Sequence, residues 1–340
     1  MGLRISIHDV AREAKVSPAT VSRILNGRGS FSEPTRKRVL IAARQLGYRV
    51  GAAEQRTSQD FRGTVGLLVP SLGNPFNGEL TEGVHTQALA LNYHVLAVST
   101  GYDRRYQLDV MDDLYVQGIQ GFLIASSAAL DERALDEIEA KEYPVVILTK
   151  ESSRKNISCV LNNDFRGALL ATNHLLELGH THIAAIMMSA HLGPLDRIRG
   201  YREAMRDAGL ESHMRVVELE VETIQGGREA AQELIRADES LSGLVAFNDL
   251  VAVGVLQACD ILKKDVPGDI SIVGYDGTLL SEVTNPPLTT ISQPIAEIGQ
   301  AGMSLLYNLI NGQVSVAQKV IMEPSLKIQG STAKRRVFTL

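Results

Sequence analysis

Hydrophobic positions along this 340-residue chain follow two rhythms. Over the first fifty residues they recur at three- and four-residue intervals: Ile7, Val10, Ala11 and Ala14, then Val21, Ile24 and Leu25, then Val39, Ala42, Ala43 and Leu46. Such spacing puts each set on one face of a helix and predicts three short helices packed together. From residue 64 the pattern changes to short apolar runs rich in β-branched residues: 64–71, 94–100, 121–126, 144–149 and 159–163, then 182–188, 216–221, 244–248 and 270–276. Helical patterns separate them, for example over 77–92, 104–117, 164–178, 197–208 and 227–237. Strands alternating with helices predict βαβ units and parallel sheets. Two such series, joined near 161–164, predict an α/β body of two similar subdomains behind a three-helix head.

The ends of the head helices are marked by polar residues. Ser6, with Asp9 three residues on, is a capping box. Ser17–Pro18 opens the second helix: Ser as cap, Pro at the first helical position, where its missing N–H costs nothing. Asn26–Gly27 stops it. The third follows Ser32–Glu33–Pro34 and ends at Gly47. Only a tight turn at Lys15 and Val16 fits between the first two, which is the spacing of a helix-turn-helix. In that arrangement the second helix enters the DNA major groove. Its outward residues are then Pro18, Ala19, Ser22 and Arg23, and Arg23 is able to pair bidentately with guanine. Ser17, Thr20, Ser22, Asn26 and Thr35 suit phosphate contacts, which position a helix without specifying sequence; Ser6 joins this DNA-facing set. Three amphipathic helices with surface arginines also describe an ordinary small bundle. Charge favours DNA. Residues 1–60 carry 11 Lys and Arg against 5 Asp and Glu, whereas the whole chain is −5, so a basic head on an acidic body points to a polyanionic partner.

The stretch IHDVAREAKVSPATVSRILNGRGSFSEPTRKRVLIAARQLGYR, residues 7–49, resembles the DNA-binding domain of the LacI/GalR family of bacterial repressors. The pattern D-V-A-x-x-A-x-V-S-x-x-T-V-S-R-x-L-N carries the resemblance. It implies a homodimer on a near-palindromic double-stranded operator. The organisation expected is a DNA-binding domain over 1–49, a linker over 50–61, an effector-binding and dimerisation core over 62–332, and a tail over 333–340. In the family the linker forms a hinge helix on operator, roughly N-x-x-A-R-x-L, whose Leu wedges into the minor groove. The same frame here reads Gly51, Ala52, Ala53, Glu54, Gln55, Arg56, Thr57. Gly lowers helix propensity by ~1 kcal/mol relative to Ala, Glu54 faces phosphate unfavourably, and Thr57 has little apolar surface to insert between base steps. Thr57 is thus expected at the groove as a weak wedge.

The body resembles the periplasmic-sugar-binding-protein-like core of the same family through NPF (74–76), LELGHTHIA (176–184), RIRGYREAMRDAGL (197–210), FNDLVAVGVL (247–256) and SIVGYDG (271–277). A closing R-x-S-T is replaced by Gln329–Gly330–Ser331–Thr332. In parallel sheets ligands bind beyond the carboxyl ends of strands, so the cleft between subdomains is the expected site. Strand-end candidates are Ser71, Asn74, Phe76, Asn163, Asp164, Arg197, Asn248 and Asp276. The resemblance assigns the family's sugar-contacting Arg to Arg197 through R-x-x-G-Y, its Asn to Asn248 and its Asp to Asp276. Arg, Asn and Asp suit vicinal hydroxyls, and Phe76 offers a face to an apolar sugar surface. Asn163–Asp164 also reads as a cap for the helix that follows, and Phe76 as core.

Composition narrows the remaining classes. The chain is 44% hydrophobic and 21% charged, as in soluble globular proteins. No apolar run nears 18 residues, so no membrane span is expected. Arg12, Glu13 and Lys15 interrupt any signal-peptide pattern. Cys159 and Cys259 lack metal-ligand spacing and read as reduced thiols of a cytoplasmic protein. No G-x-G-x-x-G follows a strand, and the P-loop, G-x-S-x-G and H-E-x-x-H patterns are missing. His174, His180 and His182 lack a nearby Cys or third acidic ligand for a metal. The expectation is a cofactor-free, non-enzymatic transcription regulator, a repressor sensing a sugar-like small molecule. The alternative, a transporter's solute-binding protein, shares the body but needs export and has no use for the head.

Overall fold

The computed structural model describes residues 6–25, 31–46, 61–125, 131–149, 151–152, 154–189, 195–313 and 316–336. The chain divides into two compact units, residues 1–60 and 61–340. In the first, helices α1 (Ile7–Ala14), α2 (Pro18–Leu25) and α3 (Glu33–Gln45) bury Val10, Ala11, Ala14, Val21, Ile24, Val39, Ala42 and Ala43 in one cluster. The predicted caps form: the Ser6 N–H and hydroxyl both donate to Asp9 Oδ2, at 2.9 and 2.7 Å, and Ser17 Oγ accepts from the Thr20 N–H at 3.1 Å. Lys15 takes φ 53°, the left-handed conformation that ends α1 and makes the turn tight. The predicted helix stops at Gly27 and Gly47, and the linker residues Gly51 to Thr57, lie outside the described residues.

The second unit holds two six-stranded sheets. Its first half runs β1 (Gly63–Val69), α4 (Pro75–Ala90), β2 (Tyr93–Ser99), α5 (Arg104–Val116), β3 (Phe122–Ile124), α6 (Glu132–Ala140), β4 (Val145–Leu148) and β5 (Ser158–Asn162). The chain then passes through α7 (Asp164–Glu177) to β6 (Ile183–Met188), α8 (Leu195–Asp207), β7 (Arg215–Leu219), α9 (Ile224–Ala237), β8 (Gly243–Ala246), α10 (Asp249–Ile261), β9 (Ser271–Asp276), α11 (Leu280–Val283) and β10 (Thr289–Ser292). It recrosses with α12 (Ile295–Ile310) and β11 (Lys319–Met322), and ends on β12 (Ser325–Lys327). The sheet orders are β11-β5-β4-β3-β1-β2 and β12-β10-β9-β8-β6-β7. Pairing is parallel throughout except between β10 and β12.

Helices cover both faces of each sheet, which is why the central strands are apolar without alternation. Val65, Leu67 and Val69 of β1 pack with Leu80 and Val84 of α4 and with Ile298, Met303 and Leu306 of α12, while Leu68 joins Met111, Phe122 and Ile138 on the opposite face. The late helix α12 therefore belongs to the core of the first sheet. It approaches α4 closely because Gly83 has no side chain: a Cβ there would lie 2.3 Å from the Ala296 carbonyl oxygen.

Every predicted strand forms, with ends shifted by one to two residues; β3 stops at Ile124 and β7 at Leu219 rather than at 126 and 221. Strands β10, β11 and β12 had no predicted counterpart. β11 is an edge strand of alternating exposure whose apolar run is only Val320–Ile321–Met322, and β12 has three residues.

Candidate functional site

All ten strands β1 to β10 point their carboxyl ends at one cleft that opens to solvent. The first sheet lends Pro70, Tyr102, Ala125, Thr149 and Asn162, and the second Met188, Glu222, Phe247, Asn248, Asp276 and Gln293. Asn74, Phe76 and Asn77 enter from the start of α4, Asp164 from the start of α7 and Arg197 from the first turn of α8. Two lining residues hold strained backbones, Thr149 at φ 68° and Asp276 at φ 110°. Such conformations cost of order 1–3 kcal/mol and concentrate where a site over-determines them.

Arg197 organises one wall. Its Nε donates to Asp164 Oδ1 at 3.0 Å and a terminal nitrogen donates to the Phe247 carbonyl at 2.6 Å. Its guanidinium lies 3.7 Å from the Tyr275 ring centroid and 4.6 Å from that of Phe247. Tyr275 donates to the same Asp164 oxygen at 2.9 Å, and Asn162 Nδ2 reaches both. Gly167 of α7 makes this possible, since a Cβ there would fall 2.1 Å from the Tyr275 hydroxyl. Burial pushes the Tyr275 phenol far up, and the adjacent Asp164 carboxylate pushes it further.

The opposite feature is a carboxylate held from both sides. Asn74 and Asn248 are helix N-caps: their Oδ1 atoms accept the N–H groups of Phe76 and Val251 at 3.0 and 2.9 Å. Capping turns both amide nitrogens outward, and both donate to Glu222, at 3.0 and 3.1 Å. The Tyr102 hydroxyl adds a third donor at 3.3 Å. Glu222 of the second sheet is thus tied to Asn74 and Tyr102 of the first. Burial raises the proton affinity of Glu222 despite these bonds. Asp276 is also raised well above the usual carboxylate range by burial, with Asp249 and Glu222 adding repulsion and Arg197 opposing it.

Of the sequence candidates, Asn74, Phe76, Asp164, Arg197, Asn248 and Asp276 meet at this cleft; Ser71 and Asn163 do not. The exposed Ser71 accepts the Gly73 N–H on its Oγ. Asn163 caps α7 by accepting from the Arg166 N–H at 3.1 Å and donates to Glu323. Asn162, one residue earlier and on the other side of the pleat, faces the cleft instead. Phe76 serves both its readings, lining the cleft and packing on the core. His174 and His180 bond Thr332, Ser242 and the Ala333 carbonyl. In the head, Ala19 and Arg23 are exposed on α2, while Pro18, Thr20 and Ser22 are half-buried. Ser6 and Thr35 are half-buried as well, Ser17 is exposed beside Thr20, and Asn26 and Thr57 lie outside the described residues.

Residues 6–50 match the sequence profile of bacterial regulatory proteins of the lacI family, and residues 172–332 that of a periplasmic binding protein-like domain. The HTH-type transcriptional regulator DegA of Bacillus subtilis is 31% identical over 334 residues, spanning 97% of this chain and 99% of its own length. The chain belongs to the LacI family of bacterial regulatory proteins. Another member, the ribose operon repressor of Halalkalibacterium halodurans, is 32% identical and covers 90% of both chains. Among solved structures, a LacI family regulator from Enterococcus faecium with bound ribose aligns at TM-score 0.73, with 29% identity over 80% of this chain and all of its own. The regulator CelR in complex with cellobiose aligns at 0.71, with 26% identity over 96% of this chain and all of its own. This chain is accordingly a DNA-binding transcriptional regulator, and among the described residues no helix is long and apolar enough to cross a membrane.

Among the cleft residues of this LacI-family chain that escaped the sequence reading are Tyr102, Asn162, Glu222 and Gln293. Behind them, Asp249 accepts from Thr290 Oγ1 at 2.7 Å and from the N–H and hydroxyl of Thr278 at 2.8 and 2.9 Å, yet burial pushes it up to about 6. Between about pH 4 and 6 the folded state keeps a proton that the unfolded chain has lost, so this group makes stability fall as pH rises through that window. Asp249→Asn should remove that slope, because the Thr hydroxyls can reverse their roles. In urea unfolding from pH 4 to 7, the variant should gain on wild type as pH rises. A constant difference would refute the assignment.

Proposed function

We propose that the chain works as a homodimeric, effector-controlled repressor in the cytoplasm, with residues 1–49 reading a near-palindromic operator. Residues 50–61 connect to a core, 62–332, that binds the effector and dimerises, with 333–340 as a tail. The effector is a sugar-like polyol held by Arg197, Asn248 and Asp276, with Asn74 and Phe76 from the first sheet; it undergoes no chemistry and needs no cofactor. In the head, Arg23 reads a base while Ser6, Ser17, Pro18, Ala19, Thr20, Ser22, Asn26 and Thr35 meet backbone and groove, and Thr57 approaches the minor groove.

The observation that carries this reading is convergence: six strand-end candidates from two sheets meet in one polar cleft, in a chain whose head matches a DNA-binding profile. Ribose and cellobiose in the related structures support the ligand class. Glu222 supplies the coupling, because its bonds to Asn74 and Tyr102 tie one sheet to the other. A ligand that competes for these groups favours one pose of the two subdomains over another, and only such differential affinity can bias DNA binding. The test selects operator from random duplexes, screens sugars and polyols by thermal shift, and titrates each hit against operator by anisotropy. Sequence-selective binding that a hit changes several-fold is expected. Absence of selectivity, or hits that leave operator affinity untouched, would overturn the reading.

A further inference from the structure

We infer that the effector is a polyol bearing a protonated amine, and that Glu222 is the residue that selects it. The inference rests on the sensing role proposed for this cleft. The cleft's side-chain donors are largely committed inside the protein: Asn74, Asn248 and Tyr102 to Glu222, and Gln293 Nε2 to Asp276 Oδ1 at 2.7 Å. Two of the Arg197 nitrogens are spent on Asp164 and the Phe247 carbonyl. The oxygens of Asn74 and Asn248 hold the first turns of α4 and α10, so these amides can meet a ligand only through the nitrogens they share with Glu222.

Acceptors remain. Asp276 Oδ2 receives no hydrogen bond from a described residue. Asn162, 93% buried and lining the same cleft, has a carbonyl oxygen that is sealed from solvent in this pose and has no donor among the described residues. Charge leans the same way. Arg197 is paired with Asp164 at 3.0 Å, while the Glu222 carboxylate is held by the neutral side chains of Asn74, Asn248 and Tyr102. Two helix N-termini, those of α4 and α10, already have their anion in Glu222. A phosphorylated or acidic sugar would find that anion-binding position filled by the protein's own carboxylate. A neutral polyol would dry the Glu222 carboxylate, whose hydrogen-bond partners Asn74, Asn248 and Tyr102 are all neutral, without a counter-charge, which is costly. An ammonium group brings three donors, no acceptor and the missing positive charge. The hydroxyls of the same ligand then serve the remaining polar atoms, and the rings of Phe76 and Phe247 border its apolar face.

The experiment is calorimetry on the full chain at neutral pH with matched sugars: glucose, glucosamine, N-acetylglucosamine and glucose 6-phosphate, and the corresponding galactose and mannose sets. Wild type and Glu222→Gln are compared, with circular dichroism confirming that the isosteric variant folds. In at least one set the amine should bind about tenfold or more tighter than its neutral parent. N-acetylation should erase the gain, the phosphate should bind more weakly than the parent, and Glu222→Gln should bring amine and parent within about threefold of each other. Neutral sugars binding as tightly as their amines throughout, a phosphate binding best, or an amine preference surviving in Glu222→Gln would each overturn the inference. If no sugar of any set binds at millimolar concentration, the sensing reading of the cleft fails first and takes the inference with it.

Discussion

Arg197→Ala should abolish effector binding and destabilise the core by about 3 to 5 kcal/mol, the usual cost of removing one partner from a buried ion pair. The guanidinium is enclosed between the Phe247 and Tyr275 rings and neutralises Asp164, itself only 7% exposed. Truncation leaves that carboxylate buried without a counter-charge, strands the Phe247 carbonyl, and opens a void where two rings lose their packing. The two effects can be separated. Arg197→Met combined with Asp164→Asn removes both charges and keeps most of the volume, so stability should recover largely while binding stays lost. Urea unfolding gives the first quantity and calorimetry with a thermal-shift hit gives the second. A single Ala variant within about 1 kcal/mol of wild type would mean that water compensates Asp164 and that Arg197 is not the centre of the wall.

The behaviour of Arg197 also shows how far the sequence could be read. Its position was legible because the resemblance to the family's core matches Arg197 through R-x-x-G-Y, and its partner Asp164 because Asn163–Asp164 follows β5 directly. Head helices were legible from their caps, and buried strands because helices on both faces demand uninterrupted Val, Ile and Leu. Glu222 was not. It stands in Val221–Glu222–Thr223, three residues past β7, and nothing local separates it from Glu218 or Glu220; only the arrival of Asn74 and Tyr102 from residues more than a hundred positions away makes it central. Ser71 and Asn163 lie off the cleft for the converse reason: the residue type suited the site, but Asn163 follows its other reading as the cap of α7, and the Ser71 hydroxyl turns toward the Gly73 N–H. Helix α12 was not among the helices named from the sequence; its buried positions Ile295, Ile298, Gly299, Gly302, Met303 and Leu306 keep a helical spacing, but its partners Val65 and Leu80 lie over two hundred residues upstream.

Arg23→Ala should weaken operator binding by about 1–3 kcal/mol, or roughly five- to 150-fold, and should reduce non-specific DNA binding far less. On α2 the residues Val21 and Ile24 are buried in the head's cluster, which fixes the helix rotation and turns Ala19 and Arg23, one turn apart, to solvent. Arg23 is the long basic side chain on that face, with the reach to meet a guanine edge at two acceptors. The fold of the head should be unaffected, since Arg23 takes no part in the cluster and Ala suits a helix interior. Anisotropy titrations on operator and on scrambled duplex, each over a series of salt concentrations, give the discriminating measurement. Loss of a base contact lowers operator affinity at every salt concentration and leaves the salt slope unchanged, because no phosphate is surrendered. If instead both duplexes weaken equally and the slope falls by about one, Arg23 holds a phosphate. Sequence reading would then pass to the half-buried Ser22 and Thr20 or to residues past the end of α2.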